Sequence, residues 1–401
     1  MEKTIKSEIL DSDAATLAKE IRSGKISSYE AAKTYITHIK RINHRINGLV
    51  EERFDEALQE AKKCDERRKA GKIAGKLFGV PITVKDLFHA KGMRTTSGLV
   101  HRADTIESED SKVVKRLKNE GAIIIGKTNT GVLGLHFESA NKYTAQRKTH
   151  GMKRGRPAVP AADAAHSLQA AEQPPASDRI FSVRCAIQPI LTESLHLKVD
   201  LGKVSDAGHL PAPAAHPLQE AMLGIGALSK SVADAELIHS IIAKENPPDI
   251  NLEKFQLVIP EPKYRVSSDT LTALHAVRAF LKKSFPVLTE ADVPHLNSML
   301  TIHHLQILSI DGGKDIWPLA FNDNMRFPIF RTLIKERMAN NTDDNCFFLK
   351  TMALGKIGTV LFQTNSEKIR GLERKIAKKI EDANRFFKSC GFNLAVVSDT
   401  R

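Results

Sequence analysis

The spacing of apolar residues predicts two amphipathic helices near the beginning of the chain. Ser27 and Glu30 form a capping-box pattern, and apolar side chains recur at helical intervals in the residues that follow. The same spacing predicts a second helix over residues 55–68, which ends near Gly71. Both helices come before the first strand that the pattern predicts.

A strand, a helix and a second strand follow in close succession. Residues 77–84 are apolar and β-branched, which predicts a buried strand that places Lys85 at its carboxyl end. Residues 111–120 predict a helix that stops at Gly121, and residues 122–125 predict another apolar strand. This order indicates a βαβ unit. We therefore predict an α/β fold with a mixed, largely parallel sheet flanked by helices.

The hydrophobic pattern changes abruptly at about residue 143. Residues 156–176 contain eight Ala and four Pro without any Gly, and residues 179–199 have no clean hydrophobic period. Regular spacing returns by Gly208. From there the pattern predicts helices at residues 237–243, 270–280 and 367–387, and strands at residues 255–260 and 394–397.

Composition and charge narrow the function classes. Of the 401 residues, 41% are hydrophobic and 27% are charged, as in an ordinary globular protein. The net charge of +13 is spread along the chain without a basic arm, and only four Tyr and one Trp are present, so nucleic-acid binding has little support. No apolar run is long enough to predict a membrane span, and residues 1–10 lack the apolar core of a signal peptide.

The cysteines and histidines indicate neither a disulfide framework nor a metal site. The four cysteines lie far apart and have no CxxC spacing. The histidines lack ligand spacing such as HExxH. We therefore expect no metal and no cofactor, and a cytoplasmic, reduced protein.

Lys85 is the first candidate for chemistry. It lies where a buried strand meets a loop, and ligands of open α/β sheets bind outside the carboxyl ends of the strands. A lysine that is partly desolvated there can lose its proton near neutral pH and serve as a base. The alternative is a surface lysine at the start of a loop.

Several short motifs occur in a fixed order around Lys85. Residues 79–86 read Gly-Val-Pro-Ile-Thr-Val-Lys-Asp, and residues 126–129 read Gly-Lys-Thr-Asn. Residues 226–234 read Gly-Ala-Leu-Ser-Lys-Ser-Val-Ala-Asp. This order resembles the amidase signature family, whose members contain Gly-Val-Pro-Ile-x-x-Lys-Asp, Gly-Lys-Thr-Asn and Gly-Pro-Met-x-x-Ser-Val-x-Asp.

The resemblance implies a hydrolase that cleaves carbon–nitrogen bonds of a small-molecule amide through an acyl-enzyme. Its Ser–cis-Ser–Lys triad works beside a Gly-rich turn that binds the oxyanion. Lys85 matches the lysine, the general base. Thr96 and Ser97, in Thr-Thr-Ser-Gly, are expected in a turn near the site or as substrate-side contacts. The two serine motifs of the family, Gly-Gly-Ser-Ser-Gly-Gly and Gly-Ser-Asp-x-Gly-Gly-Ser-x-Arg, are missing, so the chain as written is predicted to be inactive.

A shifted reading frame would explain why both serine motifs are missing. The bases that encode residues 156–163 can be chosen so that reading one base earlier gives Thr-Pro-Gly-Gly-Ser-Ser-Gly-Gly. The same step over residues 177–190 admits Gly-Ser-Asp-Ile-Leu-Gly-Ser-Leu-Arg, and the nucleophile's codon then spans Val183 and Arg184. Residues 143–151, read in the same shifted frame, admit Tyr-Gly-Thr-Thr-Lys-Asn-Pro-Trp, which resembles the segment that precedes the loop in the family. We hypothesise that about residues 143–202 are translated out of frame between two compensating insertions or deletions.

The resemblance covers about residues 10–142 and 204–390 and predicts a single amidase-like domain over residues 1–401. Within it, residues 143–202 are expected not to be family-like, and the family's final segment is expected to be missing. Two functions stay open: a serine amidase, or a catalytically null relic with at most a binding role. A stand-alone, fatty-acid-amide-hydrolase-like amidase is favoured over an amidotransferase component, which would need partner subunits.

Overall fold

The computed structural model describes thirteen parts of the chain: residues 8–134, 182–185, 195–198, 203–211, 224–243, 257–258, 268–285, 287–288, 317–322, 328–338, 353, 357 and 366–389. The chain separates into two units, residues 1–247 with 314–353 and residues 248–313 with 354–401. Each unit is described by itself.

The first unit contains most of the described helices and strands. Its helices are α1 (Ala14–Ser23), α2 (Ser28–Ile46), α3 (Phe54–Lys69), α4 (Lys112–Asn119) and α5 (Val232–Ile242), and, later in the chain, α7 (Trp317–Phe321) and α8 (Ile329–Met338). Its strands are β1 (Leu49–Glu52), β2 (Pro81–Lys85), β3 (Ile123–Thr128), β4 (Ser182–Cys185), β5 (Leu195–Lys198) and β6 (Ile225–Ser229). The second unit contains α6 (Ser268–Ser284), α9 (Ser366–Ser389) and the short parallel pair β7 (Leu257–Val258) and β8 (Val287–Leu288).

The strands of the first unit form one mixed sheet in the order β1-β3-β2-β4-β6-β5. The three central strands β3, β2 and β4 run parallel, whereas β1, β6 and β5 each pair antiparallel with a neighbour. The predicted α/β class is confirmed, with the parallel part confined to the centre of the sheet. Every residue of β2 and β3 is buried, as is typical of parallel strands covered by helices on both faces.

Local signals explain where the early helices begin. The Ser27 side chain accepts a hydrogen bond from the backbone of Glu30, whose own side chain accepts one from the backbone of Ser27, so the predicted capping box is present at the start of α2. The Ser111 hydroxyl accepts from the backbone of Val114 at the start of α4. The βαβ unit predicted from residues 77–125 is confirmed as β2-α4-β3.

Several elements differ from the sequence prediction: α5 begins at Val232 instead of residue 237, and α1, β4, β5, β6, α7 and α8 were not predicted. Strand β3 continues through Lys127 to Thr128, because its last residues pair in register with β2 and β1 instead of closing the strand as a turn. Strand β1 was not predicted. Its four residues, Leu49–Glu52, are too few to show a reliable period, and they pair with a strand that lies about 75 residues later. The predicted strand at residues 394–397 lies outside the described residues.

Helices α1 and α5 are joined by reciprocal polar contacts near their N-termini. The Asp234 Oδ1 atom accepts from the backbone N–H of Ala15 at 3.0 Å, and the Ser231 hydroxyl donates to Asp13 Oδ2 at 3.0 Å. Ser231 is also the N-cap of α5, and Asp13 is the N-cap of α1. The Ser-Val-x-Asp motif therefore caps one helix and links it to another.

The core of the first unit lies between the central strands and these helices. Fully buried side chains from α1, α2, β2, α4 and β3 form one continuous cluster, to which β6 and α5 add further apolar residues. Leu99 and Leu133 belong to a smaller cluster with Trp317 and Ile329. Within the part of the chain that the structure describes, none of the helices combines the length and hydrophobicity that a bilayer span requires.

The segment 203–211 is held between the turn after β2 and the beginning of α4. The backbone N–H of His89 donates to Gly208 O at 2.8 Å, and the backbone N–H of Leu210 donates to Leu87 O at 2.8 Å. Gly208 has a φ of 80°, and a Cβ atom there would lie 2.7 Å from the Cα of Ser111. Only glycine fits this position without displacing backbone.

We expect Gly208→Ala to destabilise the protein much more than Gly92→Ala. Gly92 has a similar φ of 78°, but a Cβ atom there would meet nothing within 4 Å. Both variants lose about 1–2 kcal/mol because alanine disfavours a left-handed backbone. Gly208→Ala should lose a further 1–3 kcal/mol, roughly, through the clash with Ser111. Urea unfolding of both variants measures the difference, and equal losses would contradict the close approach.

Candidate active site

Lys85 is the last residue of β2 and lies at the carboxyl end of the parallel part of the sheet. Its side chain is buried, with 5% of the residue exposed, and it is paired in register with Thr128 of β3. On the other side of β2, Val84 is opposite Val183 of β4. The position predicted for Lys85 is confirmed: it ends a buried central strand.

Asp86 joins the end of β2 to the turn that contains Thr96 and Ser97. Its Oδ2 accepts from the Thr96 hydroxyl at 2.5 Å, and its Oδ1 accepts from the backbone N–H of Thr96 at 3.1 Å. Its own backbone donates to Thr128 O at 3.0 Å and accepts from the backbone N–H of Ser97 at 3.1 Å. Thr96 and Ser97, the two predicted turn residues, therefore both contact Asp86, which follows Lys85 in the chain.

Lys127 is the cation of this network and was not proposed from the sequence. Its side chain is fully buried, and its Nζ lies 3.8 Å from Asp86 Oδ1. The ammonium donates to the carbonyl oxygen of Arg94 and to the hydroxyl of Thr95, both at 2.5 Å. Buried charge is tolerated only when it is paired and hydrogen-bonded, and both conditions are met.

Burial shifts the pKa values of both partners toward neutrality. It raises the pKa of Asp86 from 3.8 to about 6, although the charge of Lys127 and the hydrogen bonds from Thr96 act in the opposite direction. It lowers the pKa of Lys127 from 10.5 to about 8, against the charges of Asp86, Glu107 and Glu51. Between these values the pair is ionised, and the ionic form joins β2, β3 and the Thr96 turn.

We expect the stability of the wild-type protein, relative to Asp86→Asn, to fall as the pH rises from about 4 to about 6. The folded state binds the Asp86 proton with a pKa of about 6, above the ordinary 3.8, so protonation favours the folded state. The loss should reach about 3 kcal/mol and level off above pH 6. Urea unfolding of both proteins from pH 4 to 8 measures it, and a constant difference would contradict the raised pKa.

Ser97 has an unusual backbone and an unpartnered hydroxyl. Its φ is 53°, a left-handed conformation uncommon for serine, and the residue is fully buried. Its Oγ has no hydrogen-bond partner among the described residues, and its carbonyl oxygen accepts from Leu133 N at 2.8 Å. A strained, buried hydroxyl beside Asp86 is available to a bound molecule.

The structure brings Lys85, Thr96 and Ser97 to the same end of the sheet. The predicted loop that would supply the relay serine lies outside the described residues. Lys127 was visible in the sequence only as part of the Gly-Lys-Thr-Asn motif, which gave no indication of its role. Among the described residues, no group of three or more His, Cys, Asp or Glu side chains could hold a metal ion.

Comparison with known proteins shows similarity to amidases in one part of the chain. Residues 30–151 match the sequence model of the Amidase family. The chain is 41% identical over 133 residues to human fatty-acid amide hydrolase 2, and it is 32% identical over 252 residues to a subunit of the glutamyl-tRNA(Gln) amidotransferase of Fusobacterium nucleatum. These matches cover 31% and 59% of this chain, but only 25% and 48% of the two relatives. The chain thus spans a quarter to a half of the curated relatives that it matches.

Solved structures extend the likeness to the fold. A fatty acid amide hydrolase aligns over 97% of this chain and 68% of its own, with a TM-score of 0.76 and 18% identity. An amidase family protein from Bacillus anthracis aligns over 98% of this chain and 81% of its own, with a TM-score of 0.72 and 17% identity. Residues 30–151 therefore resemble the amidase signature family in sequence, and the chain has the fold of that family.

Proposed function

We propose that this chain derives from an amidase that hydrolyses the carbon–nitrogen bond of a small amide, with Lys85 as the base. The observation that carries the proposal is the pairing of β2 with β4, in which Val84 lies opposite Val183. In the shifted frame the nucleophile's codon spans Val183 and Arg184. That serine would then lie on the strand next to Lys85, at the same end of the sheet.

The proposed chemistry needs a neutral Lys85. Lys85 would take a proton from the relay serine, which takes one from the nucleophile as its oxygen attacks the amide carbonyl. Backbone N–H groups of the Gly-rich turn would bind the oxyanion. The proton returns through the relay serine to the leaving amine, the carbon–nitrogen bond breaks, and water then hydrolyses the acyl-serine.

Thr96 and Ser97 have different proposed roles. Thr96 holds the turn through its two hydrogen bonds to Asp86 and acts as a positioning residue. Ser97 carries a buried hydroxyl without a partner among the described residues, which supports a contact with the bound amide. Its alternative role is that of a turn residue alone.

The second candidate function is a catalytically null relic with at most a binding role. One observation favours it for the chain as written: no serine in residues 143–203 is flanked by the glycines that the two family motifs require. Without the nucleophile and the Gly-rich turn, Lys85 has no hydroxyl to activate through the proposed relay. We therefore propose that the present chain does not turn over amides.

Resequencing the gene across codons 140–205 tests the proposed origin of the stretch. Compensating single-base changes near codons 143 and 200 would restore both serines, whereas a confirmed sequence identifies a decayed amidase. A fluorophosphonate probe then tests the chemistry, because it labels an activated serine. We expect it to label the restored chain and not the present one. Labelling of the present chain would contradict the loss of the nucleophile.

The substrate is proposed only as a small-molecule amide. The relatives include a fatty-acid amide hydrolase and a component of a glutamyl-tRNA(Gln) amidotransferase. We favour a stand-alone amidase over a component that needs partner subunits. We also propose a cytoplasmic location, which the wide spacing of the four cysteines supports.

A further inference from the structure

His209 is held in a single tautomer by its hydrogen bond. Its Nδ1 atom lies 3.0 Å from the carbonyl oxygen of Pro211. A carbonyl oxygen can only accept, so Nδ1 carries the hydrogen and donates it. In a neutral imidazole the lone pair is then on Nε2, which becomes a hydrogen-bond acceptor.

This acceptor is buried and has no partner among the described residues. His209 is 3% exposed, and its Nε2 makes no hydrogen bond to them. Burial lowers the pKa of His209 to about 4, against the effect of the Pro211 carbonyl, and the charges of Lys85 and His89 lower it further. The ring is therefore neutral at pH 7. An unpartnered buried acceptor is costly, and a donor on a bound molecule would remove that cost.

The ring is fixed next to the turn that follows Lys85. Phe88 donates its backbone N–H to Lys85 O at 3.1 Å, and its ring meets that of His209 edge to face, with centroids 5.0 Å apart. The backbone hydrogen bonds that join His89 to Gly208 and Leu210 to Leu87 hold the two segments on either side of this contact. The acceptor is thus part of the same end of the sheet as Lys85.

We propose that His209 is a ligand-positioning residue whose Nε2 accepts a hydrogen bond from an N–H group of the amide that binds beside Lys85. The inference rests on the proposed function, which supplies the amide as ligand class. A primary amide carries two N–H donors, whereas an N,N-dialkyl amide carries none. His209 would therefore favour primary and secondary amides over tertiary amides and esters.

The test compares the binding of butanamide and N,N-dimethylbutanamide to the present chain and to His209→Phe. Phenylalanine keeps a ring against Phe88 but removes the acceptor. We expect about a tenfold loss of butanamide affinity and no change for the dimethyl analogue. If the His209 ring only packs against Phe88, the substitution should change the affinity for both amides equally. That result would overturn the proposal.

Two further measurements keep the proposal falsifiable if His209→Phe does not fold. In the wild-type chain labelled with ¹⁵N-histidine, butanamide should shift the Nε2 resonance of His209, and the dimethyl analogue should not. His209→Gln, whose side-chain oxygen can accept, should retain the preference for butanamide. If butanamide does not shift the Nε2 resonance, including because it does not bind, the proposal is overturned and an ordered water is left as the partner of Nε2.

His89→Phe is the matched control. His89 lies in the turn after β2, opposite His209; its Nε2 also has no partner among the described residues, but its side chain is 28% exposed and its Nδ1 lies 3.4 Å from Glu107 Oε2. We expect this variant to bind both amides as the wild type does, and a selective loss would assign the acceptor to His89 instead. Binding that discriminates between the amides supports His209 even if a restored chain shows no hydrolysis, so the two proposals fail separately.

Discussion

A chain with the reading frame restored over residues 143–202 is expected to hydrolyse a primary amide on the order of 10⁶ times faster than the present chain. The restored frame returns the nucleophile, the relay serine and the Gly-rich turn in one step. Because these groups act as a unit, any one of them without the others adds little. Release of ammonia from butanamide, measured at equal concentrations of folded protein, gives the ratio.

Two substitutions in the restored chain show whether the gain depends on Lys85. Lys85→Met should remove most of the gain, since methionine fills a similar volume but cannot accept a proton. Lys91→Met is the matched control, because Lys91 is exposed and lies in the loop after the same strand. A restored chain that keeps its rate after Lys85→Met would contradict the role of the lysine. A restored chain without activity would contradict the amidase proposal.

Lys127→Met is expected to cost about 3–5 kcal/mol of stability at pH 7, where Asp86 and Lys127 are both mostly charged. The variant leaves the Asp86 carboxylate buried without its cation, and the hydrogen bonds to Arg94 and Thr95 are lost as well. At pH 5 the cost should be smaller, because Asp86 then takes up a proton. Urea unfolding at the two pH values measures both effects.

Two controls separate the buried charge from other consequences of Lys127→Met. The double variant Asp86→Asn with Lys127→Met should recover much of the lost stability, since no unpaired charge stays in the core. Lys118→Met removes the partially exposed ion pair with Asp110, which has an N–O distance of 2.8 Å, and should cost about 1 kcal/mol or less. Equal losses of stability for Lys127→Met and Lys118→Met would show that the buried Asp86–Lys127 pair stabilises the fold no more than an exposed ion pair does.

The sequence predicts the features of the fold that depend on neighbouring residues. The capping box at Ser27 and the β2-α4-β3 unit both have signals within a few residues of the elements that they begin. Strand β1 could not be predicted, because four residues define no period and its partner β3 is distant in the chain. The position of Lys85 followed from its place at the end of an apolar strand.

The side-chain network of the site depends on strand register, which the sequence does not contain. Val84 is opposite Lys127, so Asp86 and Lys127 approach each other only because β2 and β3 pair in parallel with that alignment. His209 reaches the same end of the sheet from a segment about 120 residues after Lys85. A histidine between Gly208 and Leu210 has no local signature of either burial or tautomer, so these properties come only from the tertiary structure.

The contacts between α1 and α5 have a consequence for how the chain tolerates change. Their hydrogen bonds close a loop of 218 or 219 residues. The entropy lost on closing a long loop rises only with the logarithm of its length, so even doubling the loop costs about 0.6 kcal/mol. An insertion or deletion of tens of residues between the two helices would therefore barely alter the free energy of closure. Closure of the loop between α1 and α5 therefore places little constraint on the number of residues that join them.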